Sequence, residues 1–143
     1  MTLNSIADLL CRRAMITVAP LDTVAYACQK LAEHRVGMLY VVNGDRLVGV
    51  LSERDIVSRC MMQGRDAATT RVSGIMTRDP VSITLQGSLT EAQAHMLDGG
   101  FHHLPVVDHA GQPLGVLSLQ DMPAGPVTPA DPARAPDAAS PKQ

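Results

Sequence analysis

Leu47-Val48-Gly49-Val50-Leu51-Ser52-Glu53-Arg54-Asp55 occurs a second time in this chain, as Pro113-Leu114-Gly115-Val116-Leu117-Ser118-Leu119-Gln120-Asp121. Gly49 and Gly115, Ser52 and Ser118, and Asp55 and Asp121 each stand 66 positions apart (115 − 49). In both copies an apolar strand runs into Ser-x-x-Asp. That spacing puts a hydroxyl and a carboxylate at the first turn of a helix, beside backbone N–H groups that have no intrahelical partner. Such a spot suits a hydroxylated, anionic ligand.

The flanking residues repeat as well. Residues 5–10 (Ser-Ile-Ala-Asp-Leu-Leu) predict a short helical lead-in, and residues 71–76 (Arg-Val-Ser-Gly-Ile-Met) are its echo. Ile16-Thr17-Val18 matches Val81-Ser82-Ile83 as a short strand. Thr23 caps a helix with an apolar stripe of Val24, Ala27, Cys28 and Leu31, and Ser88 with Glu91 forms a capping box before Leu89, Ala92, Met96 and Leu97. Gly37 and Gly99-Gly100 are the expected helix stops. The unbroken runs Met38-Leu39-Tyr40-Val41-Val42 and Leu104-Pro105-Val106-Val107 fit strands buried on both faces. Asn43-Gly44-Asp45 and Asp108-His109-Ala110-Gly111 are hairpin turns leading into the repeated stretch.

After Asp55 a helix is expected with Ile56, Val57, Cys60 and Met61 on one side and Gly64 as its stop. After Asp121, Pro123 permits at most one helical turn. The order strand, helix, strand, strand, helix, given twice, predicts an α/β (α+β) protein of two βαββα repeats with internal pseudo-twofold symmetry. The expected divisions are a lead-in at 1–15, a first repeat at 16–64, a linker and second lead-in at 65–80, a second repeat at 81–122 and a disordered tail at 123–143. The tail is rich in Pro, Ala, Asp, Thr and Ser without apolar periodicity, so it cannot bury enough surface to offset its ordering entropy.

Composition narrows the function. Net charge is −2, from 12 basic and 14 acidic residues, and aromatics make up 2% of the chain. A weak field and so few stacking rings argue against nucleic acid as a partner. The most apolar window, residues 36–42, is too short to cross a bilayer. Cys11, Cys28 and Cys60 have no metal-type or redox-type spacing and read as buried free thiols of a reducing compartment. Asn4, Asp8 and Arg12-Arg13 do not follow the order of a secretory signal, which points to the cytoplasm. No nucleophile-plus-base pattern, glycine-rich phosphate loop or carboxylate pair emerges, so no catalytic residue is expected.

The paired repeats, the Gly-Val-Leu-Ser-x-x-Asp ends, Leu104-Pro105-Val106-Val107-Asp108 and Gly74-Ile75-Met76-Thr77-Arg78-Asp79-Pro80 together resemble a tandem cystathionine β-synthase (CBS) domain pair, or Bateman module. The resemblance covers roughly residues 5–122. It implies two repeats packed sheet to sheet, with clefts that hold AMP, ADP, ATP, S-adenosylmethionine or NAD(H) as a regulatory ligand rather than a cofactor. Ser52 with Asp55, and Ser118 with Asp121, become the ribose-phosphate groups. Ile16, Thr17, Val81 and Ser82 become the adenine-side edge, flanked by the strands that contain Tyr40, Leu104 and Pro105. His102-His103 takes the place of the basic pair that meets phosphate, and Arg54 faces the other site. The implied protein is a cytoplasmic sensor of energy state or metabolites in signal transduction, a homodimer whose output is read by the oligomer or by a regulated protein partner.

Each signal has a plainer alternative. Ser52-x-x-Asp55 is also a simple capping box, although Ser118-x-x-Asp121 is kept where Pro123 leaves almost no helix to cap. His102 and His103 also fit a polar strand edge with neutral rings. Metal binding by them is disfavoured because His34, His95 and His109 fall at no ligand spacing. Arg54 also fits a solvated helix face. A structural homodimerisation module with empty clefts and a thiol or metal redox sensor are the rival functions. The sequence leaves open which adenosine ligand binds, whether one or both clefts fill, the downstream partner and the dimer geometry.

Overall fold

A computed structural model describes residues 5–12 and 15–122. The chain is a mixed α+β protein made of two compact units. One comprises Met15–Pro80 with Ala110–Pro113, and the other combines the described part of the first fourteen residues with 81–109 and 114–122. The tail expected at 123–143 lies outside the described residues.

The first-repeat unit carries a four-stranded sheet in the order β1 (Thr17–Val18), β2 (Met38–Asn43), β3 (Arg46–Ser52), β4 (Thr77–Arg78). β1 runs parallel to β2, with Thr17 opposite Tyr40. β2 and β3 form an antiparallel hairpin closed by Asn43 opposite Arg46, across a turn in which Gly44 takes φ +65°. That left-handed conformation is the reason a glycine stands there. Helix α2 (Val24–His34) starts where Thr23 accepts a hydrogen bond from Tyr26 N–H, and it buries Val24, Ala27 and Leu31. These pack with Leu39, Val41, Leu51, Ile56, Cys60, Val72, Ile75 and Met76 in one core.

Several local expectations change here. Cys28, expected on the buried stripe of α2, is exposed, as is Cys11, and Cys60 alone of the three thiols is buried. Burial of its surroundings, and then the neighbouring Cys60, still push the Cys28 thiol pKa up. α2 ends at Arg35, which takes the left-handed φ of 56° and donates its N–H to Leu31 O, so Gly37 is not the stop. Helix α3 (Glu53–Ile56) continues as a π turn over Val57–Met61, with Met62 N–H bonded to Val57 O. In this wider turn Ile56 and Cys60 stay inside, while Val57 and Met61, expected on the same face, are 47% and 64% exposed.

The second-repeat unit holds the hairpin of β5 (His103–Val107) and β6 (Pro113–Ser118). Ile83 bridges Val106 in parallel, in the place that β1 holds in the other unit. Helix α4 (Leu89–Gly99) has a full capping box between Ser88 and Glu91 and ends at Gly100, whose φ is +72°. It buries Ala92 and Met96, and Leu97 is exposed. The core is Ile6, Ile83, Ala92, Met96, Leu104, Val106, Leu117 and Met122. After β6 the described residues add a 3-10 turn, Leu119–Asp121.

The lead-ins are exchanged between the repeats. Cys11, just after helix α1 (Ile6–Leu9), pairs antiparallel with Val116 of β6, and Thr77, just after the 3-10 turn Val72–Gly74, pairs with Val50 of β3. Thr77 and Cys11 are themselves 66 positions apart (77 − 11), as are Val116 and Val50. Each repeat therefore finishes its sheet and core with the lead-in that precedes the other repeat. Gly49 and Gly115 sit at these crossings. A Cβ on Gly49 would lie 2.7 Å from Met76 Sδ and 2.8 Å from Thr77 O, and one on Gly115 would lie 2.8 Å from Leu10 Cγ. Glycine inside each strand is what lets the lead-in approach.

Candidate functional site

The candidate groups lie at the strand ends of each unit. In the first-repeat unit Ser52 caps α3 with a full capping box: its Oγ accepts from Asp55 N–H at 3.0 Å, and Asp55 Oδ2 accepts from Ser52 N–H at 3.1 Å. The carboxylate has further neighbours. The one hydroxyl proton of Thr77 Oγ1 is shared between Oδ2 at 3.4 Å and Oδ1 at 3.5 Å, and Arg59 Nε lies 4.0 Å from Oδ1. Asp55 is only 9% exposed. Arg59 Nη1 also donates to Ile75 O and Met76 O, both at 3.2 Å.

Ile16 and Thr17 are half-buried beside β2, and Ile16 O accepts from Tyr40 N–H at 2.9 Å. Thr17 O accepts from Lys30 Nζ at 2.6 Å. Tyr40 is buried, which raises its phenol pKa well above the usual value. Arg54 is exposed on α3, and its carbonyl accepts from Ser58 Oγ.

The second-repeat unit presents the equivalent groups differently. Ser118 is half-buried and makes no side-chain cap hydrogen bond, and Asp121 is exposed at the end of the 3-10 turn. Leu119 N–H donates to His102 O at 2.8 Å, which fixes the turn against the start of β5. His103 follows on that strand, and His102 and His103 are both exposed. Partial burial lowers the pKa of His103 and the neighbouring His102 lowers it further, while Asp121 pulls it the other way. Val81 is exposed and Ser82 half-buried at the edge that leads to the Ile83 bridge, where Ile83 N–H donates to Pro105 O at 3.1 Å. Leu104 is fully buried and Pro105 buried, so both support this edge from the core side.

Within each unit the structure thus gathers the Ser-x-x-Asp end, and in the second it sets that end beside the histidine pair. Arg59 and Thr77 were not singled out from the sequence. Arg59 lies four residues after Asp55, a helical spacing that would have flagged the pair. Among the described residues no group of three His, Cys, Asp or Glu side chains could hold a metal ion, and no helix is long and apolar enough to cross a membrane.

A family model for the CBS domain matches the chain twice, over residues 6–61 and 72–122. An uncharacterized protein of Methanopyrus kandleri is 31% identical over 112 residues, which are 78% of this chain and 57% of that one. A 17.7 kDa protein of Acidianus ambivalens is 35% identical over 106 residues, 73% of this chain and 63% of that one. The chain therefore spans less than two thirds of these curated relatives. Among solved structures, a CBS-domain protein of Burkholderia ambifaria superposes with a TM-score of 0.67 at 33% identity, covering 81% of this chain and 82% of that one. CBSX2, an Arabidopsis thaliana protein, in complex with AMP gives a TM-score of 0.71 at 26% identity, covering 82% and 92%. The cytosolic domain of the Mg2+ channel MgtE in complex with ATP gives 0.71 at 27%, covering 84% and 48%.

Proposed function

This chain belongs to the CBS-domain family, and from that premise we propose that it is a regulatory module that binds an adenosine-containing ligand and transmits its presence to a partner. The ligand class is AMP, ADP, ATP, S-adenosylmethionine or NAD(H). The Ser-x-x-Asp carboxylate receives the ribose hydroxyls, the adjacent serine and the His102-His103 pair lie toward phosphate, and the strand edge at Val81 and Ser82 takes the base. Ile16, Thr17, Tyr40, Ser52, Arg54 and Asp55 occupy the equivalent sequence positions of the first repeat. The observation that carries the reading is the end of β6: Ser118 leaves its hydroxyl out of the cap and Asp121 stands exposed beside His103. A ribose diol offers such a carboxylate two donors, and a phosphate offers a neighbouring imidazole an acceptor. Two family structures that hold AMP and ATP support the ligand class.

The module acts in the cytoplasm as a sensor of energy state or metabolites, without catalysis of its own. Ligand shifts its conformational equilibrium by the difference in affinity for the two states, typically about 1–3 kcal/mol of coupling.

A thermal-shift panel of AMP, ATP, S-adenosylmethionine and NADH tests this. A ligand held at about 100 times its dissociation constant should stabilise the chain by about 2.7 kcal/mol. No shift with any of them leaves the second reading, a structural homodimer. That reading is favoured by Val57, Met61 and Met62, the last 75% exposed, clustered on one stretch of the first-repeat unit.

A further inference from the structure

We infer that the second repeat alone offers its Ser-x-x-Asp carboxylate to ligand, because Thr77 and Arg59 latch the first-repeat carboxylate to its own unit. This rests on the ligand-binding reading above and assigns which repeat carries it.

The two aspartates stand at equivalent sequence positions with opposite surroundings. Asp55 faces donors of its own unit: Oδ2 accepts from Ser52 N–H at 3.1 Å, the one Thr77 hydroxyl proton is shared between Oδ2 at 3.4 Å and Oδ1 at 3.5 Å, and Arg59 Nε lies 4.0 Å from Oδ1. A ribose diol would have to reach the remaining lone pairs of a carboxylate that is only 9% exposed and already held by its own unit, whereas Asp121 is open to it. Displacing the donors of Asp55 would also disturb the lead-in. Arg59 is held to Ile75 O and Met76 O, immediately before β4, so the latch spans α3, the π turn and the strand that begins at Thr77.

The second repeat lacks both latch residues. The partner of Val116 is Cys11, where the partner of Val50 is Thr77. A thiol is a far weaker donor than a hydroxyl. The position 66 beyond Arg59 (59 + 66) is Gly125, which has no side chain. Asp121 is accordingly exposed, and Ser118 leaves it without the reciprocal cap that holds Asp55. The latch arginine is Arg59, which ties α3 and the π turn to the lead-in, while Arg54 stands exposed on α3.

Isothermal titration of the full chain with ATP, or with whichever of the four compounds gives the larger thermal shift, decides the matter. Wild type should show a stoichiometry of about one per chain, Asp121→Asn should weaken binding by about tenfold or more, and Asp55→Asn should stay within about twofold. Should Asp55→Asn fail to fold, Thr77→Val combined with Arg59→Met opens the latch and should raise the stoichiometry above one, whereas an unchanged stoichiometry would overturn the latch as the cause. A wild-type stoichiometry near two, or a loss caused by Asp55→Asn in a folded protein and not by Asp121→Asn, would overturn the assignment while leaving the ligand-binding reading intact. Absence of binding by all four compounds to wild type would overturn that reading, and this inference with it.

Discussion

Replacing Gly49 by alanine adds one carbon at the point where the second lead-in crosses β3. That carbon would meet Met76 Sδ at 2.7 Å and Thr77 O at 2.8 Å, against an ordinary carbon contact of about 3.5–4.0 Å. Met76 is itself buried in the core, so its thioether has little room to swing aside. Thr77 O is backbone and yields only if β4 moves. Overpacking of this kind costs about 1–3 kcal/mol, and loosening β4 forfeits about 0.5–1.5 kcal/mol per hydrogen bond. The sum is roughly 2–4 kcal/mol. At roughly 4 °C per kcal/mol, the melting temperature should fall by roughly 8–16 °C. Urea denaturation followed by circular dichroism measures the same quantity at constant temperature. Gly44→Ala is the steric control, since nothing lies within 4 Å of a Cβ there and only its φ of +65° is at stake. If Gly49→Ala melts within about 2 °C of wild type, β4 does not cross β3 at this point and the exchanged lead-in is wrong.

Two further outcomes follow from the same structure. Ile6 is fully buried in the second-repeat core although it precedes the first repeat, so Ile6→Ala should lose about 2–4 kcal/mol in urea denaturation; a near-wild-type midpoint would mean that α1 does not dock there. His103 has its pKa lowered from 6.5, chiefly by burial, so the folded state disfavours its charged form. As pH falls below 6.5 the unfolded chain takes up the proton first, and stability declines until the lower folded pKa is passed. His103→Gln should flatten that limb in melts recorded between about pH 8 and about pH 5. A bound phosphate would favour the imidazolium and reverse the sign, so ATP affinity should rise over the same interval in wild type and stay level in the variant. Equal slopes in both proteins would remove His103 from the phosphate contact.

The repeat, the capping boxes at Ser52 and Ser88, the α2 cap at Thr23 and the β2–β3 hairpin could all be read from residues alone, because each depends on side chains within a few positions of one another. The exchange of lead-ins could not. Cys11 reaches Val116, and Thr77 crosses back to Val50, through long-range pairings that no local pattern encodes. The one trace was a glycine inside each strand, at 49 and 115, which marks a close backbone approach without naming what approaches. Cys28 was misplaced because a helical stripe fixes an apolar face only to within one residue, and neighbouring Ala27 takes the buried position. Val57 and Met61 come out exposed because the chain widens into a π turn where the residue pattern predicts an α-helix. At the candidate site, Ser-x-x-Asp was plain in both copies. The difference between them lies in Thr77 and Arg59, whose bearing on Asp55 emerges only once β4 and the π turn are in place.

The exchanged lead-ins also set an order of events during synthesis. All four strands of the first-repeat sheet have left the ribosome once residue 80 is out, whereas Cys11 must wait for a partner that is made 105 residues later (116 − 11). Closing so long a loop is slow compared with forming a hairpin. Helix α1 and Cys11 are therefore among the last to find their place, and until then α1 has no core in which to bury Ile6. A nascent chain halted shortly after residue 80 would carry a nearly finished first-repeat sheet and an undocked α1, open to whatever chaperone or protease meets it first.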